Sequence, residues 1–169
     1  VLYTMQATPY SCDLSRCLIE KDDIAKKIRD INDNTIVVLA DDFVGTGETA
    51  LGAVNYVRKV LGKDFPNDRI KVLAIAVLKI GKQILNDIGI QVYCEYLFDK
   101  GISDYYQGDA LTDAKKNMES IESKIGVKKQ FHFGYGHSEA LVCMTRCPNN
   151  TFPVYWLGKN TAPYERMRA

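Results

Sequence analysis

Residues 36–49 constrain this chain more than any other stretch: Ile-Val-Val-Leu-Ala-Asp-Asp-Phe-Val-Gly-Thr-Gly-Glu-Thr. An apolar run, residues 36–40, ends in two adjacent acids, Asp41 and Asp42, and a Gly/Thr loop follows at once. Ala50, Leu51, Ala53, Val54, Val57, Val60 and Leu61 then recur at helical spacing and make one apolar face. A run this short and this rich in β-branched residues predicts a strand buried on both faces, as in a parallel sheet. Consecutive strand side chains point to opposite faces. The acids are therefore expected where the strand is ending, since otherwise one carboxylate would enter the core unpaired. There they would face the crevice in which open α/β sheets bind ligands.

The loop has its own chemistry. Gly45 and Gly47 tolerate backbone angles that other residues resist, and Thr46 and Thr49 add hydroxyls. A helix begins where the loop ends, so free backbone N–H groups and the positive end of the helix dipole converge on one spot. A phosphate is the expected guest. Thr49 is a candidate N-cap, and the Glu48 side chain is expected to turn outward while its N–H faces the anion. Two carboxylates beside such a loop can accept hydrogen bonds from a vicinal diol or sit near a bound Mg²⁺. The loop is not of the Walker type, because no Gly-Lys-Ser/Thr follows. Nor is it the Gly-x-Gly-x-x-Gly dinucleotide loop, because the third glycine is missing and the acids come first.

Strand-like and helix-like segments alternate along the rest of the chain. Strands are expected at residues 1–5, 70–78 and 90–98, and helices at 14–31, 79–88 and 109–125, the last turning Leu111, Ala114, Met118, Ile121 and Ile125 inward. Such alternation indicates a parallel, Rossmann-like sheet with right-handed crossovers. After Lys128 the pattern changes. Residues 131–135 alternate weakly, 140–144 are apolar, and 152–156 follow the turn cluster Pro148-Asn149-Asn150-Thr151. These read as strands and tight turns appended to the sheet. The whole is expected to be a single domain, 1–169: an N-terminal link and helix (1–33), a βα core (34–126), and C-terminal strands and tail (127–169).

Composition excludes several partners. Net charge is +1, from 22 basic and 21 acidic residues, which gives no global pull toward nucleic acid or membrane. No apolar stretch is long enough for a bilayer, and no basic region of the signal-peptide kind opens the chain. Five cysteines, an odd number, predict reduced thiols in a cytoplasmic protein. The spacings of Cys12, Cys17, Cys143 and Cys147, even with His132 or His137, do not suit a zinc site. His132 lies between Phe131 and Phe133 and is expected to face solvent or a polar partner, which leaves His137 the better functional candidate.

Residues 37–49 resemble the 5-phosphoribosyl-1-diphosphate (PRPP) binding motif of type I phosphoribosyltransferases, through the acidic pair, the loop glycines and both threonines. Residues 133–142, with Phe-Gly-Tyr-Gly-His-Ser-Glu, and 148–156, with Pro-Asn-Asn-Thr-Phe-Pro-Val-Tyr-Trp, are similar to a narrower group, the phosphoribosyltransferase-like proteins of bacterial conflict and anti-phage systems. Residues 100–104 fit that group too. Cys147 stands where a Thr would be expected. The likeness spans about residues 34–156. It implies a type I phosphoribosyltransferase fold, an α/β Rossmann-like parallel sheet. It implies that Asp41 and Asp42 form the catalytic pair, hold the ribose 2- and 3-hydroxyls and bind Mg²⁺ directly or through water. It also implies that Val44, Gly45, Thr46, Gly47, Glu48 and Thr49 wrap the 5-phosphate.

Loops that follow parallel strands share one edge of the sheet. Asp99, Lys100, Asp104, Tyr105 and Tyr106 are therefore candidates for acceptor binding, against the alternative of a solvated loop with capping aspartates; the likeness favours the acceptor. Tyr135, His137, Asn149, Asn150 and Trp156 either line a pocket or support a turn. The turn is preferred, since Asn-Asn after Pro makes its own local hydrogen bonds. Two functions compete. One is phosphoribosyl transfer to a nucleobase, nucleotide or other nitrogen acceptor, as an effector of anti-phage defence. The other is a non-catalytic PRPP or nucleotide sensor that regulates an associated protein or nucleic-acid complex. The family places a diphosphate loop before the motif, and the 35 residues ahead of Ile36 match it poorly, with Arg16 nearest to the role. Protein partners of a defence complex and self-association are both compatible with the likeness; nucleic acid would enter only indirectly.

Overall fold

The computed structural model describes residues 35–144 and 147–157. The strand expected at 1–5, the helix expected at 14–31, Arg16, Cys12 and Cys17 lie outside the described residues. The core is a three-stranded parallel sheet in the order β1-β2-β3, formed by β1 (Val37–Val44), β2 (Ile70–Leu78) and β3 (Gln91–Phe98). Helix α1 (Glu48–Leu61) joins β1 to β2, α2 (Lys79–Asp87) joins β2 to β3, and α3 (Gly108–Lys124) follows β3. The fold is thus the α/β, Rossmann-like arrangement that the alternating pattern predicts.

Val37 pairs with Ile70, Leu39 with Val72 and Val72 with Val92. Registered neighbours in a sheet share a face, and this face meets the helices. Val54 and Val57 of α1 and Leu85 of α2 pack in one buried cluster with Ile70, Val72, Ala74 and Val92. Their spacing supplies the apolar stripe that holds each helix on the sheet. The opposite face departs from expectation. Val38, Leu73, Ile75 and Tyr93 are 50–55% exposed, so among the described residues nothing covers this part of the sheet on its second face. Nearer the carboxyl ends, Phe43, Ala76 and Leu78 gain cover from Ala140 and Val142 in a second cluster.

The C-terminal part is also corrected. Among the described residues after α3 there is no strand. Three short 3₁₀ turns stand there instead, at Lys129–Phe131, Tyr135–His137 and Pro153–Tyr155, with a single parallel bridge between Ala140 and Thr151. Phe133, His137 and Glu139 all adopt positive φ, at 62°, 50° and 53°, and a chain that bends into the left-handed region so often cannot run extended. Helix α3 turns most of its expected side inward, with Leu111, Ala114, Met118 and Ile125 half-buried. Glu122 is its one fully buried residue, while Ile121 is 45% exposed.

Candidate functional site

The acids do not end their strand. β1 runs through Asp41 and Asp42 to Val44, with Asp41 still opposite Ala74 in the sheet. Both side chains sit in half-buried positions, because the cover on the sheet changes hands at this level. The Asp42 N–H donates to Asp41 Oδ1 at 2.9 Å. Burial raises the Asp41 pKa above its ordinary value, and the neighbouring Asp42 side chain adds to the rise.

The loop after β1 is gripped from both sides. Gly47 takes φ 83° and caps α1 through its backbone, with no side-chain cap; Thr49, the expected cap, lies inside the helix. The first helical bond runs from Leu51 N–H to Gly47 O at 2.8 Å. The amides of Glu48, Thr49 and Ala50 thus lie at the helix end that carries the positive pole. Glu48 is exposed, as its charge requires. On one side, α2 sits so close that a Cβ on Gly81 would overlap the Gly45 carbonyl, and a Cβ on Gly47 would lie 3.2 Å from Gly81 O. On the other, a Cβ on Gly45 would overlap the Asn150 side-chain amide, and one on Gly136 would come within 3.0 Å of Thr46 Cγ2.

A cavity of about 540 Å³ opens over this loop, lined by residues 41–50 together with Tyr135 and residues 147–150. Its size falls within the range of small-molecule sites. All the residues expected to bind PRPP, Asp41, Asp42 and 44–49, are brought together there. The five expected acceptor residues are placed elsewhere: none is among the described residues that line the cavity. Lys79 pairs with Asp99 at 2.7 Å, and that contact raises the Lys79 pKa. The Lys100 N–H donates to Asp104 Oδ2 at 2.7 Å, and Lys100 Nζ reaches His137 O at 3.4 Å. Tyr105 and Tyr106 are exposed.

Asn149, Asn150 and Tyr135 hold a turn and also line the cavity, so the two sequence readings are not exclusive. Tyr135 N–H donates to Asn149 O at 2.8 Å, and Asn150 Nδ2 donates to Tyr135 O at 3.3 Å. His137 is exposed and is absent from the described lining. Trp156 Nε1 donates to Thr151 O at 2.9 Å, a supporting contact.

Sequence reasoning missed Glu139. It is buried and accepts from the N–H groups of Ile102 and Ser103 at 3.0 and 2.6 Å and from the Ser103 hydroxyl at 2.6 Å. Lys115 Nζ lies 3.6 Å away. Burial works to raise the Glu139 pKa, but Ser103, Ile102 and Lys115 together outweigh it and hold the carboxyl below the ordinary range. Glu139 thereby ties the loop after β3 to the segment that caps the cavity. A Glu within a Gly/Ser-rich turn was its only sequence signal. Of the two expectations for His132, solvent or a polar partner, the structure shows the partner: the ring is buried, with Nε2 3.2 Å from Val127 O.

A parallel Rossmann-like sheet, with an acidic pair in its first strand and an amide-lined loop in one cavity, is the arrangement of a protein of the phosphoribosyltransferase type. The chain belongs to the PRTase-CE family, whose sequence profile matches residues 6–167. No curated protein matches the chain. Phosphoribosyl transfer is the general chemistry to which that membership points. Among the described residues, no helix is long and apolar enough to cross a membrane.

Proposed function

We propose that this protein binds PRPP and transfers its phosphoribosyl group to a nitrogen acceptor: a nucleobase, a nucleotide or another amine. One observation carries the reading. The Asp41–Asp42 pair and the free amides at the start of α1 line the same cavity, a diol acceptor at one end and a phosphate donor site at the other. Asp41 and Asp42 accept hydrogen bonds from the ribose 2- and 3-hydroxyls. The amides of residues 44–49 hold the 5-phosphate. Clamped at both ends, the sugar offers C1 to the acceptor in fixed orientation. The C1–O bond to diphosphate breaks, the nitrogen lone pair forms the C1–N bond, and the acceptor proton leaves to solvent. Positive charge develops on the sugar as the bond breaks, and carboxylates that hold the ribose hydroxyls would stabilise it.

The acidic pair also fits a divalent cation. Its oxygens are hard donors, and the two carboxyls stand side by side in the cavity lining. Asp41 and Asp42 would hold Mg²⁺, directly or through water. When bound, the ion would supply neutralisation of the diphosphate.

A sensor is the second reading, and the lining favours it on one point. No Lys or Arg is among the described residues that line the cavity, so none of these offers a basic side chain to the departing diphosphate. Work as an effector of bacterial anti-phage defence and protein partners within such a system rest on the likeness of the tail, and a cytoplasmic location on the odd number of cysteines. The test is incubation with PRPP, Mg²⁺ and a panel of bases and nucleotides. Diphosphate release that disappears in Asp41→Asn/Asp42→Asn supports the transferase. Thermal stabilisation by PRPP without release supports the sensor, and neither response rejects both.

A further inference from the structure

The structure assigns to Asn150 the positioning of the phosphate loop, so that the C-terminal turn and not only the motif itself sets affinity for a sugar 5-phosphate. The inference rests on the reading of the cavity given above. Gly45 is the starting point. It is not among the glycines with positive φ, so its backbone would accept any residue. Space is what demands glycine there: an added Cβ would run into Asn150 Nδ2 and Cγ and lie 2.9 Å from Oδ1. The Asn150 amide therefore lies flat against the loop that leads into the free amides of α1.

Asn150 is itself held firmly. Its carbonyl accepts from Ala140 N–H at 3.2 Å and from the buried Ser138 hydroxyl at 2.7 Å. Its side-chain Nδ2 donates to Tyr135 O at 3.3 Å. A Cβ on Gly134 would overlap its carbonyl, so the turn closes on it without slack. With the Gly81 backbone pressed against the other side of Gly45, the loop has nowhere to relax. Donors aimed at an anion work only when held in place before it arrives, and Asn150 is the side chain that does the holding. A residue that merely shaped its own turn would need no such contact.

A double-mutant cycle on the full chain tests this. The affinity for ribose 5-phosphate, with Mg²⁺ present, is measured by calorimetry for wild type, Gly45→Ala, Asn150→Ala and the double variant. Each single change is expected to weaken binding roughly tenfold, because each shifts the loop amides from the position that the contact fixes. The double variant should bind no worse than Asn150→Ala, because the new methyl then occupies the space the amide left. Val92→Ala serves as the comparison: it opens a gap in the core beneath β3 without touching the turn or the loop, and should lower the melting temperature with affinity unchanged. Asn150→Ser keeps a short polar side chain in the turn and replaces Asn150→Ala in the cycle if the alanine variant does not fold. Losses that simply multiply in the double variant, or wild-type affinity in Asn150→Ala, overturn the assignment to Asn150 alone. A wild-type chain that takes up no ribose 5-phosphate overturns the reading of the cavity, and the assignment with it.

Discussion

Asp41 and Glu139 are carboxylates moved in opposite directions, and each makes a separate prediction. Asp41 is raised by burial and by Asp42, so it takes up a proton at a pH where an ordinary aspartate is still charged. Binding of ribose 5-phosphate with Mg²⁺ should accordingly weaken on acidification earlier than for an unperturbed pair. The ligand phosphate itself gains a proton near pH ~6. Calorimetry across pH on Asp41→Asn isolates that second effect, and the difference between the two profiles should be the part due to Asp41. Glu139 is lowered from the reference 4.5 by its donors, which outweigh its burial. Its contribution to stability is complete above that reference and is lost as pH falls through the lower, folded value. Glu139→Gln, which cannot satisfy the same three donors, should cost about 3 kcal/mol in urea unfolding at neutral pH, and should show less acid sensitivity than wild type. Neither shift was legible in the sequence. The acidic pair was legible because its chemistry is local. Glu139 was not, because its donors come from Ile102 and Ser103, far away along the chain.

At the level of elements, legibility followed how local the forces are. The bounds of β2 came from its apolar run, and the course of α1 and α2 from hydrophobic period. β1 was read too short, because an apolar run was taken to end where charge begins. In the structure the ladder continues past the acids, with Phe43 and Val44 paired to Ala76 and Val77. The tail failed for the converse reason. Phe131-His132-Phe133 alternates as a strand does, but the positive φ of Phe133 and the bonds of a 3₁₀ turn decide the backbone. One prediction belongs to this scale. Gly81 lies in α2, where Ala is normally the better helix former, yet its Cβ would overlap the carbonyl of Gly45. Gly81→Ala should therefore destabilise, by about 1–3 kcal/mol, and should weaken ribose 5-phosphate binding with it; a thermal melt and calorimetry on the same sample check both.

For the whole molecule, the cavity joins two stretches that sequence keeps far apart, residues 41–50 and the Tyr135 and 147–150 wall. The motif disclosed the first stretch. The second was visible only as turn formers, because nothing in a linear pattern shows that Asn150 rests on Gly45. Ligand binding should register in both. Hydrogen exchange is expected to slow at the amides of Glu48, Thr49 and Ala50 and, together with them, at Tyr135 and Ala140, whose N–H groups are bonded to Asn149 and Asn150. Protection confined to the loop would separate the two halves.

The junction of β2 and α2 has a consequence for how such a chain can vary. The strand ends at Leu78 and the helix begins at Lys79, so the helix start that presses on Gly45 has no spacer behind it. An extra residue there would rotate Gly81 off the loop and put a side chain in its place. The exposed stretch at Lys63 and Asp64 carries no such restriction. Length changes should therefore accumulate ahead of β2 and be purged behind it, making that seam the fixed hinge point about which the rest of the scaffold is free to drift.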